Sequence, residues 1–166
     1  MRLAVRVRNA ESCKPIENAV VDIWHCDALG SYSGFESSGG GPPGGGGGPG
    51  GGNSSPSTDT TYLRGAQVTN ADGIVEFETI YPGWYQGRTV HIHAKVHIDN
   101  QTVLTSQLFF DEDVNKAAYP KAPYSEHTGR EQFNDSDSIF DERLLMTTRE
   151  EGDGYLGIMT FDVEAA

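Results

Sequence analysis

Thr89-Val90-His91-Ile92-His93-Ala94-Lys95-Val96-His97 alternates polar and apolar residues without a break. Val90, Ile92, Ala94 and Val96 fall on one side; Thr89, His91, His93, Lys95 and His97 fall on the other. A period of two with one apolar face marks a half-buried β-strand. The apolar side is expected to enter a core, and both His91 and His93 to project from the opposite side. Residues i and i+2 of a strand lie roughly 7 Å apart, close enough for two imidazoles to share one metal ion. His97 lies about 13 Å beyond His93 at the same rise per residue, too far to join them.

Immediately upstream, Tyr81-Pro82-Gly83-Trp84-Tyr85-Gln86-Gly87-Arg88 carries a turn signal, a tyrosine and an arginine. Farther upstream, Ala19 to His25 reads as a strand rich in Val and Ile. It leaves through Cys26-Asp27-Ala28-Leu29-Gly30-Ser31-Tyr32, a loop in which Gly30 is free to take positive φ. A His-x-His pair alone is equally compatible with two exposed histidines. Tyr32 and Tyr85 change the chemistry, because iron(III) is a hard cation that favours anionic oxygen. Two tyrosinates plus hydroxide would neutralise it, and two neutral imidazoles would complete five-coordination. Free tyrosine ionises near pH 10, so it loses its proton at neutral pH only when such a cation pulls on it.

The remaining segments extend the β pattern. Arg2 to Arg8 sets Leu3, Val5 and Val7 against arginines, a strand with one wet face, and Cys13 to Asn18 is a turn. Thr69-Asn70-Ala71-Asp72-Gly73 reads as a tight hairpin turn feeding a strand from Ile74 to Glu78. Further strands are expected over Val103–Phe110, Arg143–Thr148 and Tyr155–Val163. One short helix is expected over Asp111–Ala118, whose start is acidic. Tyr119 to Asp141 is polar and shows no period. Seven to nine short strands with at most one or two short helices predict an all-β sandwich. Residues 39–52 are glycine and proline alone, with nothing to bury, and read as a loop insertion in one domain covering 1–166.

With 166 residues, the chain is long enough for one domain with a real core. Its formal net charge of −12 argues against nucleic acid or an anionic membrane as partner. No apolar run is long enough to span a bilayer. Cys13 and Cys26 are the only cysteines, each at the edge of a predicted strand, and a disulfide between them is expected. With Asn53-Ser54-Ser55 and Asn100-Gln101-Thr102 as glycosylation patterns, this points to a secreted protein, its leader trimmed.

Ala19 to Tyr32, with its Asp22-Ile23-Trp24-His25-Cys26-Asp27 centre, resembles the first signature of the intradiol ring-cleavage dioxygenases, the catechol and protocatechuate enzymes. Thr69 to Thr79, Ile80-Tyr81-Pro82-Gly83-Trp84-Tyr85, Arg88 and His91-Ile92-His93 are similar to the second, and Thr105 to Phe110 to the strand that follows. The resemblance implies a non-haem Fe(III) site with Tyr32, Tyr85, His91 and His93 as ligands, and it places Arg88 and Gln107 beside the substrate. The implied substrates are small catechols and O₂, cleaved between adjacent phenolic carbons to cis,cis-muconate-type products. Arg88 would stabilise negative charge developing on the ring. Its alternative role is a structural arginine tied to an acidic neighbour. Tyr85, on a glycine-flanked turn, is the tyrosine expected to yield to substrate, with Tyr32 permanent. Trp84 and Tyr81 could wall an aromatic pocket, and Trp24 is expected in the core.

The chain differs from the best-known members, which carry an N-terminal helical dimerisation segment; it starts at the sandwich, and a monomer is expected. Two other readings of the same residues stay open. In one, His91 and His93 hold Fe(II) or Zn²⁺ beside a carboxylate. In the other, the chain is a secreted transthyretin-like binding module with merely exposed histidines.

Overall fold

The computed structural model describes residues 1–35 and 58–164. The Gly/Pro tract and the Asn53 glycosylation pattern lie outside them. Among the described residues, eight strands form two four-stranded sheets: β1 (Arg2–Asn9), β2 (Val20–Trp24), β3 (Arg64–Val68), β4 (Ile74–Glu78), β5 (His91–Ile98), β6 (Gln101–Phe109), β7 (Thr147–Glu151) and β8 (Gly154–Val163). One sheet runs β4-β1-β8-β7 and the other β3-β2-β5-β6. Every pairing is antiparallel except β1 with β8.

The period-two pattern builds the core as expected. Leu3, Val5 and Val7 from β1 meet Val21 and Ile23 from β2 and Ile92, Ala94 and Val96 from β5, all essentially inaccessible. The even-numbered faces of β2 and the odd-numbered face of β5 therefore turn away from the sandwich interior. The predicted helix is present as α1 (Glu112–Ala118), capped by the Asp111 carboxylate accepting from the Asp113 amide. No helix among the described residues is long and apolar enough to cross a membrane.

Four expectations need correction. Strand β3 has no apolar alternation and was not expected; it is an edge strand, largely exposed and paired only with β2. The turn at Thr69–Gly73 is not a hairpin, because it carries the chain from β3 in one sheet to β4 in the other. Asn70 Oδ1 accepts from the Asp72 and Ile74 amides there, and the Gly73 carbonyl accepts from the Val7 amide at 2.8 Å, docking the turn on β1. The strand expected over 143–148 begins at Thr147, since a 3₁₀ turn occupies Glu142–Leu144. The expected disulfide is absent: Cys13 is an exposed free thiol and Cys26 a buried one. Cys13 sits in the turn that leads toward Val20, whereas Cys26 follows Trp24 at the far end of β2.

Candidate metal centre

The site is laid out by strand register. On the outer face of the second sheet, Arg64, Trp24, His93 and Gln107 stand side by side on β3, β2, β5 and β6. Neighbouring residues on one sheet face have side chains in contact. Trp24 stacks on His93 with ring centroids 4.8 Å apart and planes 3° from parallel. The Arg64 guanidinium lies 5.9 Å from the Trp24 ring centroid. Trp24 is thus half-buried on the outer face instead of in the sandwich core, because Val21 and Ile23 hold the inward positions of its strand.

Two loops lay tyrosines over this row. Tyr32 and Tyr85 are 1% and 4% exposed, and with Cys26 they form a second small apolar cluster. Their rings meet edge to face at 5.6 Å, and Tyr32 stands 6.0 Å from the His93 ring. The Cys26 thiol donates to the Gly83 carbonyl at 3.3 Å, tying the first loop to the second. Burial pushes that thiol up to about 12, so it is an inert packing group.

The four sequence-predicted ligands converge. His91 Nε2 lies 3.1 Å from His93 Nε2 and 3.3 Å from the Tyr85 hydroxyl. His91 Nδ1 is 2.7 Å from the Thr89 carbonyl. A carbonyl can only accept, so Nδ1 carries the proton and Nε2 presents its lone pair to Tyr85 and His93. Among the described residues the buried Tyr32 hydroxyl makes no hydrogen bond of ordinary length, and the Tyr85 phenol is the group that faces it. Burial lowers His91 to about 3, with Arg88 adding to the effect, and holds His93 well below its ordinary value, with the neighbouring His91 second. Both imidazoles are therefore neutral. Burial raises Tyr32 far above its ordinary value and Tyr85 to about 12, Arg88 opposing the rise at Tyr85. His97 is elsewhere, paired with the Thr102 hydroxyl at 2.9 Å.

Arg88 is tied to an acidic neighbour, the structural role considered for it. Its Nε donates to Asp137 Oδ2 at 2.9 Å, and its Nη2 donates to Gln107 Oε1 beside His93. Asp137 was not anticipated; it lies in a polar stretch with no period and no local signal. A second, partly buried network reaches Thr89, just ahead of β5, with Arg130 forked on Glu112 at 2.7 Å and donating to the Thr89 hydroxyl at 2.9 Å. Of the aromatic residues expected to wall a pocket, Tyr81 is in the core and donates to Asn115 Oδ1 at 2.7 Å. Trp84 does line a cleft of about 440 Å³ beside Tyr85, with Ser31, His127, Glu131 and Gln132. Its indole stacks on His127 at 3.9 Å and 10°.

Buried neutral histidines also set an acid limit on stability. His25 Nδ1 donates to the Cys26 carbonyl at 2.7 Å and Nε2 accepts from the Thr79 hydroxyl at 2.8 Å, and burial lowers it from 6.5 to about 4. With the folded value below the unfolded one, stability is fully present above pH 6.5. It falls as pH drops toward 4, by at most about 1.4 kcal/mol per pH unit for each such histidine. Melting temperature of the metal-stripped protein should fall over that range, and His25→Asn should flatten the slope. An equally steep profile in that variant would count against His25.

An all-β sandwich with two phenols and two imidazoles gathered on the outer face of one sheet is the class that fold and site define. No family model matches the chain. The intradiol ring-cleavage dioxygenase from Tetranychus urticae superposes with a TM-score of 0.86 at 31% identity, covering 98% of this chain and 79% of that one. The dioxygenase domain of a dioxygenase carbohydrate-binding protein fusion from Streptomyces sp. SirexAA-E has a TM-score of 0.66 at 30% identity, covering 99% and 79%. The chlorocatechol 1,2-dioxygenase of Rhodococcus opacus is 30% identical over 133 residues, 68% of this chain and 44% of that protein. The chain belongs to the intradiol ring-cleavage dioxygenase family. It spans less than half the length of the curated relatives it matches.

Proposed function

We propose that the chain is a non-haem Fe(III) intradiol dioxygenase that opens catechol-type rings with O₂ to cis,cis-muconate-type products. The observation that carries this reading is the convergence of Tyr32, Tyr85, His91 and His93, with the two histidine Nε2 atoms 3.1 Å apart, the Tyr85 hydroxyl 3.3 Å from His91 Nε2, and a buried Tyr32 hydroxyl that has no hydrogen-bond partner among the described residues. An unpaired hydroxyl in a dry site costs about 1–3 kcal/mol and persists where something uses it. Two oxygen donors that become anionic and two neutral imidazoles suit a hard trivalent cation better than Zn²⁺ or Fe(II). A merely exposed histidine pair does not fit, since His91 is 2% exposed.

A ferric ion held there would act as a Lewis acid on the catechol oxygens and, through covalency, make the catecholate ring itself the reductant that meets O₂. The protein's own residues do the rest. His91 is fixed in one tautomer by Thr89, and His93 is held against Trp24. Tyr85, whose hydroxyl reaches His91 Nε2, is the base placed to take a catechol proton once ionised. Arg88 and Gln107 sit together next to His93, placing fixed donors where charge develops on a ring bound over the site. The walls of Tyr32, Tyr85 and Trp24 exclude water, which strengthens those interactions.

Purified protein tests the reading directly. Tyrosinate–Fe(III) charge transfer should colour it red to burgundy, and catechol should be consumed with O₂ to a muconate. A colourless, iron-free preparation that stays inactive after iron is added would sink it.

Substrate charge gives a second test. The net charge is −12, and Glu131 lines the cleft beside Tyr85. At low salt, catechol and 4-methylcatechol should exceed protocatechuate in kcat/KM by roughly tenfold, the gap shrinking as salt is added. Equal or better turnover of protocatechuate is the contrary result. Secretion belongs to the same proposal and now rests on Asn100 at the exposed β5–β6 turn. Mass spectrometry of the natively expressed protein should find a glycan there.

A further inference from the structure

Asp137 is the only buried carboxylate among the described residues. It arrives from a 3₁₀ turn over Asn134–Ser136, far in sequence from every proposed ligand. Its Oδ2 accepts from Arg88 Nε at 2.9 Å and from the Thr89 amide at 2.8 Å, and its Oδ1 accepts from the Ile139 amide at 2.8 Å. The Asp137 side chain is 1% exposed and that of Arg88 9%, so the ion pair is shielded from water and salt.

Those bonds lead to two different parts of the site. Through Arg88, the carboxylate sets the guanidinium plane so that Nη2 reaches Gln107. Through the Thr89 amide, it anchors the residue whose carbonyl fixes His91 Nδ1–H. The Thr89 hydroxyl is held as well, donating to Asn134 Oδ1 at 2.7 Å and accepting from Arg130 at 2.9 Å. A carboxylate accepting from a cation and an amide at one oxygen holds both with short, directional bonds.

We propose that Asp137 is a positioning residue that sets the substrate-facing arginine and the metal-facing histidine together, through one oxygen. This rests on the dioxygenase reading above. Asparagine at 137 keeps an acceptor for the Thr89 amide but loses the charge that holds Arg88; alanine loses both. Asp137→Asn should lower kcat by about 10–100-fold with KM for catechol within about threefold and iron content unchanged. Asp137→Ala should in addition lower ferric affinity by roughly tenfold.

The metal-free protein supplies a readout independent of turnover. ¹⁵N NMR should show His91 as a single Nδ1–H tautomer in the wild type and in Asp137→Asn, and as a mixture in Asp137→Ala. In an Arg88→Gln background, Asp137→Asn should change kcat by less than about twofold, because its effect runs through the arginine. Should the Asn and Ala variants fail to fold, Asp137→Glu keeps the charge but shifts the carboxylate by one methylene, and the same kcat loss is expected with iron bound. Variants that lose only melting temperature, with wild-type kcat per iron and an unchanged His91 tautomer, would overturn the proposal. A wild type with neither colour nor ring cleavage would instead defeat the dioxygenase reading, and the His91 tautomer would still test the Asp137 link.

Discussion

Tyr32→Phe is expected to cost the protein its iron while leaving the metal-free fold intact or firmer. The Tyr32 hydroxyl is buried without a hydrogen-bond partner among the described residues, and its ring packs against Tyr85 and His93. Deleting only the oxygen keeps that packing and removes an unsatisfied polar atom, which should raise apo stability by about 1 kcal/mol. Loss of an anionic ligand should weaken ferric binding by more than the roughly 100-fold seen for outer partners. Turnover should fall with it.

Tyr85→Phe should behave differently. The Tyr85 hydroxyl already shares His91 Nε2 at 3.3 Å and lies where Arg88 opposes its high pKa, so it is the better prepared of the two to gain and lose a proton. Its removal should leave much of the iron bound, reduce the visible band, and slow substrate binding and product release. Anaerobic titration with catechol, following the charge-transfer band, separates the two variants. Iron lost from Tyr85→Phe and kept by Tyr32→Phe reverses the assignment.

The contrast between these residues also shows what sequence could reveal. The alternation from Thr89 to His97 correctly assigned His91 and His93 to the side of β5 away from the core, because a half-buried strand encodes its two faces in its period. Gln107 could be placed only by resemblance; its position beside His93 depends on the β5–β6 register, which no single strand carries. The even-numbered face of β2 carries Trp24, and an indole next to a histidine across strands cannot be read from β2 alone. Asp137 and Arg130 were illegible for a different reason. Their segment folds as short 3₁₀ turns held by side-chain bonds from Arg130, Asn134 and Asp137 to Thr89 and Glu112. Structure of that kind has no hydrophobic period, and its partners lie more than 15 residues away. Strand β3 was missed because Arg64-Gly65-Ala66-Gln67-Val68 buries little; its backbone bonds to β2 define it.

Gly30→Ala and Gly83→Ala are expected to open the site from beneath. The two tyrosine-bearing loops meet backbone to backbone: the Gly83 amide donates to the Asp27 carbonyl at 3.0 Å. A Cβ on Gly83 would lie 2.7 Å from the Ala28 carbonyl carbon and closer still to the Asp27 oxygen. A Cβ on Gly30 would strike the Trp84 carbonyl oxygen and come within 3.1 Å of the His127 ring, and Gly30 also sits at φ +89°. Backbone atoms cannot rotate aside as a side chain can, so the loops must separate, carrying Tyr32 and Tyr85 apart. Gly87 provides the control, since it has a φ of +83° and open space where a Cβ would go. Gly87→Ala bears only the left-handed penalty, about 1 kcal/mol. Gly30→Ala bears that plus overpacking, about 3 kcal/mol in all, or roughly 10 °C in Tm for a chain of this size. Gly83→Ala has the clash without the strain and should fall between them in stability. Both Gly30→Ala and Gly83→Ala should bind less than stoichiometric iron with a weakened tyrosinate band, while Gly87→Ala keeps both. Melting curves and iron analysis of the three variants decide it: a Gly30→Ala protein as stable and as fully loaded as Gly87→Ala would show that the loops do not brace one another.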